Sequence, residues 1–357
     1  MAVAVANQTL VSVRNLWKMF GYDGSELPPE MASLSKSELR EDHGNDIGLK
    51  DVSFDVAQGE IFVVMGLSGS GKSTLIRTLS RLIEPSRGSI FVSDDDILDY
   101  DEEQLIQYRR TKTAMVFQHF GLLPHRTVIE IAAWGLEIQG GSKDEREAKA
   151  KETLEMVGLQ GWEEYRPTFL SGGMQQRVGL ARALATNTDI MLMDEAFSAL
   201  DPLIRSDMQK QLIDLQAELK KTIVFITHDL DESLRLGDHI GILNGGRLVQ
   251  VGTPIDIIMN PADDYVAAFV KDVNRAKVIK AKIIMVSPQQ FKGSKNSNTI
   301  KVKEDTFIDE FLPKVCLTPA TVEVVDKSGN VKGYITDKEL SKALTKTHSN
   351  GVVKSQK

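Results

Sequence analysis

Residues Gly66 to Thr74 read GLSGSGKST, and no other stretch of the chain carries as much chemistry. Gly66, Gly69 and Gly71 let successive backbone N–H groups turn inward around a phosphate chain, with Leu67, Ser68 and Ser70 completing the turn. Lys72 reaches the outer phosphates, and the hydroxyl of Ser73 or Thr74 can sit on magnesium. A second anion-binding end is written at Ser171, Gly172 and Gly173, where a good helix cap and bare backbone precede a helical pattern. Downstream, IMLMDE sets Asp194 and Glu195 at the tip of an apolar run. Asp194 suits a magnesium-water shell, and Glu195 suits polarising a water that attacks a γ-phosphate. TIVFITHD brings His228 to the end of a further apolar run, where its ring N–H can sense or stabilise a γ-phosphoryl group. Gln118, after the short apolar stretch TAMV, is by itself an ordinary polar residue. Nucleoside triphosphate binding is the chemistry these residues share.

The elements that must hold them are readable from periodicity. Ile61 to Met65 and Ile190 to Met193 are continuous apolar runs, the pattern of parallel strands buried on both faces. Val11, Val13 and the alternating Val52, Phe54 and Val56 predict strands with one wet face, hence an antiparallel sheet beside the parallel one. Leu75, Ile76, Leu79, Leu82 and Ile83 recur at helical spacing, so a helix N-terminus faces the phosphate loop. Asp101 to Ala183 reads as mostly helical. About 21–48 is rich in Gly, Pro, Ser and charge and predicts an exposed insertion, with one short helix over Ser33 to Glu41. After about Asp272 the pattern changes, and QQFKGSKNSNT is a loop before a small α/β segment.

Composition narrows the class. The chain has 357 residues, 41% hydrophobic and 26% charged, enough for one large core and a smaller appendage. Its net charge of −7, without long blocks of one sign, argues against nucleic acid as the main partner. The single cysteine, Cys316, precludes a disulfide framework within the chain and suits a reducing compartment; it is expected to be a small packed hydrophobe. No apolar run approaches the roughly 18 to 20 residues a membrane span needs, and the start MAVAVANQTLVSV does not read as a signal peptide.

With phosphate loop, Gln118, LSGG, Asp194-Glu195, SALD and His228 in series, the chain resembles the nucleotide-binding subunit of an ABC transporter over roughly Leu10 to Thr253. The resemblance implies an α/β P-loop NTPase core of the ABC type, with a parallel sheet, an antiparallel β subdomain and a helical subdomain at about 101–183, together forming a domain over 1–272. It makes Gly66 to Thr74 the Walker A motif and Asp194 with Glu195 Walker B. Gln118 becomes the Q-loop residue, a ligand of magnesium as well as part of the catalytic set with Glu195 and His228. Leu170 to Gln175 becomes the signature motif, Ser198 to Asp201 the D-loop, and Phe20 the aromatic stacked on adenine; Trp17 is expected to be packing. ATP and Mg2+ follow as cofactors. The resemblance also implies a second copy of the chain, since ATP on one Walker A is completed by the signature helix of the other.

The phrases DEAFSALDPLIR and LVQVGTP resemble one branch, the ATP-binding subunits of bacterial glycine betaine/L-proline importers. That implies a permease in the membrane, a periplasmic or extracellular solute-binding protein acting through it, and a peripheral place on the cytoplasmic side of the inner membrane. An importer of another small solute, such as an amino acid, is the alternative. Three positions depart from the branch. Phe169 replaces an acidic residue before LSGG and Ile131 replaces a common Asn, and both are expected on a surface facing the membrane subunit. Residues 273–357 resemble a partial CBS-like regulatory or dimerisation module, in which Glu339 replaces the Asp that often holds a nucleotide ribose.

Overall fold

Three segments of unbroken apolar sequence form adjacent strands in the computed structural model, which describes residues 8–21, 46–291, 298–317, 320–326 and 328–344. They are β3 (Ile61–Met65), β7 (Ile190–Asp194) and β8 (Thr222–Thr227), every residue of which is buried. A parallel strand covered on both faces has no position at which a polar side chain reaches water, so the sequence shows no alternation. The expected helix over Ser33 to Glu41 lies outside the described residues.

The first unit, Met1–Phe269, contains two sheets. The six-stranded one runs β10 (Arg247–Gly252), β9 (His239–Asn244), β3, β8, β7, β6 (Thr113–Val116). All its pairings are parallel except β10 with β9. The four-stranded sheet runs β2 (Asp46–Ala57), β1 (Thr9–Phe20), β4 (Arg87–Val92), β5 (Asp95–Asp96), antiparallel throughout. From Val52 to Val56, β2 alternates buried and exposed as its sequence does. Phe54 on β2 stacks on Phe62 of β3 with ring centroids 4.8 Å apart, locking the sheets together. Each such buried ring contributes about 1.5–3 kcal/mol in transfer free energy.

Two boundaries differ from the sequence expectation. Strand β2 begins at Asp46, where Asp46 pairs with Phe20 and Ile47 with Met19, so residues 46–48 belong to the sheet, not to the excursion at about 21–48. Helix α1 (Lys72–Leu79) and helix α2 (Glu102–Thr111) both belong to the core, because Tyr108 donates its hydroxyl to Leu79 O and Arg109 donates to Ser80 O. Strand β6 follows α2, so the helical lobe starts later than residue 101. It consists of α3 (Val128–Ile138), α4 (Lys143–Met156) and α5 (Gly172–Ala185), packed on one another. Capping boxes at Thr127/Glu130 and Ser142/Glu145 start α3 and α4. Then come α6 (Pro202–Leu219), α7 (Leu230–Leu236), α8 (Pro254–Met259) and α9 (Asp264–Val270).

The second unit, Val270–Lys357, holds α10 (Ala281–Ile284), α11 (Ile308–Leu317) and α12 (Asp337–Leu344). Its sheet runs β11 (Thr299–Lys303), β12 (Thr321–Val325), β13 (Val331–Ile335), β11 parallel to β12 and β13 antiparallel to it. Cys316 is exposed, not a packed core residue as expected. On α11 the inward stripe is Ile308, Phe311 and Val315, and Cys316 falls one residue past it. The Glu339 carboxylate accepts from the backbone N–H and hydroxyl of Thr336, which fixes the entry to α12. Among the described residues no helix is long and apolar enough to cross a membrane.

Candidate nucleotide-binding and hydrolysis site

Strand order is what gathers the site. In the sequence β3-β8-β7-β6, Met65 lies beside Thr227 and Ile226 beside Asp194. The phosphate loop after β3, His228 after β8, Asp194-Glu195 at the end of β7 and Gln118 after β6 therefore leave the sheet along one edge. The carboxyl ends of parallel strands are where open α/β sheets bind ligands.

The loop from Gly66 to Thr74 closes a cleft of about 280 Å³ lined by Phe20, Asp46, Ile47, Gly48, Ser68, Gly69, Gly71, Lys72, Ser73, Thr74 and Glu195. Gly71 sits at φ +107°, and a Cβ there would come within 2.3 Å of Gly48 O, so only glycine fits. No side chain caps α1; its first N–H groups, at the end of the glycine-rich loop, are a ready anion site. Lys72 is buried and donates from Nζ to Gly66 O at 2.8 Å and Leu67 O at 3.1 Å. Burial pushes its pKa down, opposed by the nearby Glu195 and Asp194 carboxylates. Leu67 and Ser68 are exposed, and Ser70 is buried beneath the turn. Phe20 is 40% exposed and presents its ring over the cleft. Gly48 permits this, because a Cβ there would lie 2.8 Å from the ring.

Ser73 donates its hydroxyl to Asp194 Oδ1 at 3.4 Å. Burial raises the Asp194 pKa, with the positive Arg77 working against it. Glu195 stands at φ +44°, a left-handed backbone unusual for a residue with a side chain. Its N–H bonds to Ile226 O, which holds that conformation, and strained positions of this kind cluster at reactive sites. Gln118 Nε2 donates to Glu195 Oε2 at 3.4 Å and to Ser198 Oγ at 3.2 Å, and His228 Nδ1 lies 3.2 Å from the same Glu195 oxygen. One carboxylate oxygen thus carries both neighbours predicted to act with it.

The second anion-binding end is elsewhere. None of the residues lining the cleft comes from Ser171–Gln175. Ser171 caps α5 by accepting from Met174 N–H, and it and Gly172 are exposed. Gly173 packs on Ile204, 2.5 Å from where its Cβ would stand, placing this turn against the start of α6. There Asp201 accepts from the Leu203 and Ile204 N–H groups. Leu203 is 80% exposed and Phe169 71%, so apolar side chains stand in water around the turn. Gln175 donates its amide N–H groups to Pro167 O and Leu170 O, which shapes the turn. Ile131 is buried at 0% exposure, contrary to the expected partner-facing surface, because α3 turns it inward with Val128 and Ala132. Asp46, Ile47 and Gly48, which line the cleft, were missed as individual contributors because they border a stretch read as insertion.

Helix α7, which follows His228, is tied to α6 by Gln209 Nε2 donating to the buried Glu232 at 3.0 Å. Desolvation raises the Glu232 pKa, outweighing hydrogen bonds from Thr227 and Gln209. A carboxyl whose native pKa is raised binds its proton more tightly when folded. The penalty is therefore absent below the ordinary carboxylate pKa of about 4.3 and grows as pH rises above it. Glu232→Gln keeps the acceptor for Gln209 and removes the charge. Its melting temperature at pH 8 is expected to equal or exceed wild type by about 2 to 4 °C, the gain vanishing toward pH 4 to 5 in thermal denaturation.

Comparison with known proteins follows the same outline. The model of the ABC transporter family matches residues 49–198. The chain is 51% identical over 294 residues to the glycine betaine/carnitine transport ATP-binding protein GbuA of Listeria monocytogenes, covering 82% of this chain and 74% of that one. It is 42% identical over 326 residues to the trimethylamine N-oxide transport ATP-binding protein TmoW of Pelagibacter ubique, covering 91% and 94%. Among solved structures it resembles the dimeric post-hydrolysis state of an ATP-binding cassette bound to ADP and Pi, with 32% identity, TM-score 0.58, and 68% of this chain and 98% of that one covered.

Proposed function

Because this chain belongs to the ABC transporter family, we propose that it is the ATP-binding and ATP-hydrolysing subunit of a bacterial importer for glycine betaine, proline betaine or a related quaternary amine or amine oxide. Two copies act together, peripheral to the cytoplasmic face of the inner membrane, on a permease served by a solute-binding protein. The carrying observation is that the cleft holds a phosphate loop but none of the Ser171–Gln175 turn, while Ser171 and Gly172 of that turn lie exposed, with Leu203 and Phe169 exposed as well. A second copy supplies to each cleft what its own chain holds elsewhere.

Within this reading the loop N–H groups and Lys72 bind the triphosphate, Phe20 stacks on the base, and Ser171 to Gly173 of the partner copy close over the γ-phosphate. Asp201 holds its loop at that seam by capping α6. The donors fit magnesium: the Ser73 hydroxyl and the Asp194 carboxylate, 3.4 Å apart, are hard oxygen ligands, so Ser73 would hold the cation together with phosphate oxygens and water, with Asp194 and Gln118 supporting it. Bound Mg2+ neutralises charge on the outer phosphates. Glu195 accepts the proton of the attacking water, while His228 and Gln118 hold that carboxylate in line. Binding energy of the γ-phosphate favours the closed pair, and its loss on hydrolysis reopens it. A groove of about 400 Å³ between β6, α3 and α5, lined by Met115, Leu123, Trp134, Ile138 and Arg182, offers the permease an apolar seat. The second unit serves as a partial CBS-like regulatory or dimerisation module.

Uptake tests the solute. Membranes carrying the permease and this chain should take up labelled betaine in an ATP-dependent manner, competed by proline betaine or trimethylamine N-oxide. Competition by an amino acid alone would replace the solute class, and co-purification with ribosomes or DNA instead of a membrane protein would remove the importer reading.

A further inference from the structure

Between the ends of β7 and β8 lies an arginine with four anionic or carbonyl partners and no role in the site described above. Arg205, on the first turn of α6, donates from Nε to Phe197 O at 3.2 Å and from Nη2 to Ser198 O at 3.2 Å and Leu200 O at 3.0 Å. Its Nη1 lies 3.6 Å from Asp229 Oδ2. The side chain is 29% exposed and Asp229 36%, so the pair is shielded more than a surface ion pair, whose worth is small. Both ends of this clamp touch the hydrolytic residues. The loop it grips begins at Glu195, whose carbonyl accepts from the Ser198 N–H and hydroxyl; Ser198 Oγ in turn accepts from Gln118. The carboxylate it pairs with follows His228 directly, and Asp229 Oδ1 caps α7 by accepting from Glu232 N–H.

We propose that Arg205 is a positioning residue that fastens the Phe197–Leu200 loop to the His228–Asp229 turn and thereby fixes the alignment of Glu195 with His228. The planar guanidinium is suited to this, since its fork bonds three carbonyls on one side and faces a carboxylate as an ion pair on the other. Arg205 is not among the residues that line the cleft. The inference rests on the assignment of Glu195 as the hydrolytic carboxylate.

The experiment measures steady-state ATPase, equilibrium ATP binding and melting temperature for Arg205→Ala, Arg205→Lys, Asp229→Asn and the Arg205→Ala/Asp229→Asn double variant, beside Glu195→Gln. Misalignment of about 1 Å costs up to about 100-fold in rate, so Arg205→Ala is expected to lower kcat about 10- to 100-fold with the ATP Kd within about threefold of wild type. Lysine, one donor centre in place of a fork, recovers only part. Asn caps a helix as well as Asp, so Asp229→Asn removes the ion pair without unfolding α7 and reads the contact even if Arg205→Ala fails to fold. The double variant should lose no more than Arg205→Ala alone. Any of three outcomes overturns the proposal: kcat within about twofold of wild type in Asp229→Asn or a folded Arg205→Ala, single losses that multiply, or an ATP Kd that rises in step with the fall in kcat. Unimpaired hydrolysis by Glu195→Gln would instead strike the site assignment, whereas an inactive Glu195→Gln beside an active Arg205→Ala removes only the clamp.

Discussion

Glu195→Gln is expected to cut ATP hydrolysis by on the order of 10³-fold or more while leaving ATP binding within about threefold of wild type. The substitution is nearly isosteric. The amide that replaces the carboxylate would keep a carbonyl oxygen where Gln118 Nε2 donates and where His228 approaches, and the backbone bond to Ile226 O that holds φ +44° is untouched. What disappears is the capacity to take a proton from water. If two copies close around ATP and reopen only on hydrolysis, this variant should also accumulate as a dimer with ATP and Mg2+, visible as a doubled mass in gel filtration. With ADP it should remain monomeric. Turnover near that of wild type would show that another group accepts the proton, and His228, the nearest candidate, would be the next to replace.

Local sequence revealed the chemistry of the site and little of its assembly. GLSGSGKST declares itself because three glycines, a lysine and the adjacent Ser73 and Thr74 have one joint use, and the continuous apolar run before it reads as a buried parallel strand. That Gln118 and His228 share one oxygen of Glu195 follows from the order β3-β8-β7-β6, a set of long-range pairings no local pattern encodes. The positive φ of Glu195 is equally invisible, since nothing in DEAFSALD marks a left-handed residue. TAMV is a four-residue run inside a mostly helical stretch, and its pairing with β7 is what places it in the sheet as β6. Ile131 and Cys316 were misplaced for one reason. The buried face of a helix is chosen by its neighbours, so α3 hides the position expected outside and α11 exposes the one expected inside.

The role of Gly48 shows how tertiary approach assigns function to an unremarkable residue. At the edge of a Gly- and Pro-rich excursion it reads as loop, yet it lies in β2 with the Phe20 ring on one side and Thr74 on the other. Phe20 and the phosphate loop come from different sheets, and a residue without a side chain is what lets them meet. Phe20 pairs with Asp46 across the same ladder, so the aromatic is placed by strand register, not by the loop that follows it.

Lys72→Ala should weaken ATP binding itself, raising the Kd by about 10- to 100-fold in an equilibrium titration. A hydrogen bond to a charged partner is worth about 1.5–3 kcal/mol, and each tenfold in Kd is about 1.4 kcal/mol. The ammonium is already desolvated and held by Gly66 O and Leu67 O, so little ordering remains to be done when a phosphate arrives. Its alanine variant loses that preorganised charge and leaves two carbonyls to water, at a stability cost of about 1 kcal/mol. If Lys72 serves the outermost phosphate, ADP affinity should fall less than ATP affinity and the two constants should converge. An equal loss for both nucleotides would place the ammonium on an inner phosphate instead. An unchanged ATP constant would overturn the cleft assignment, because no other buried cation lines it among the described residues. Combined with Glu195→Gln, the variant should fail to form the ATP-dependent dimer at nucleotide concentrations that saturate Glu195→Gln alone.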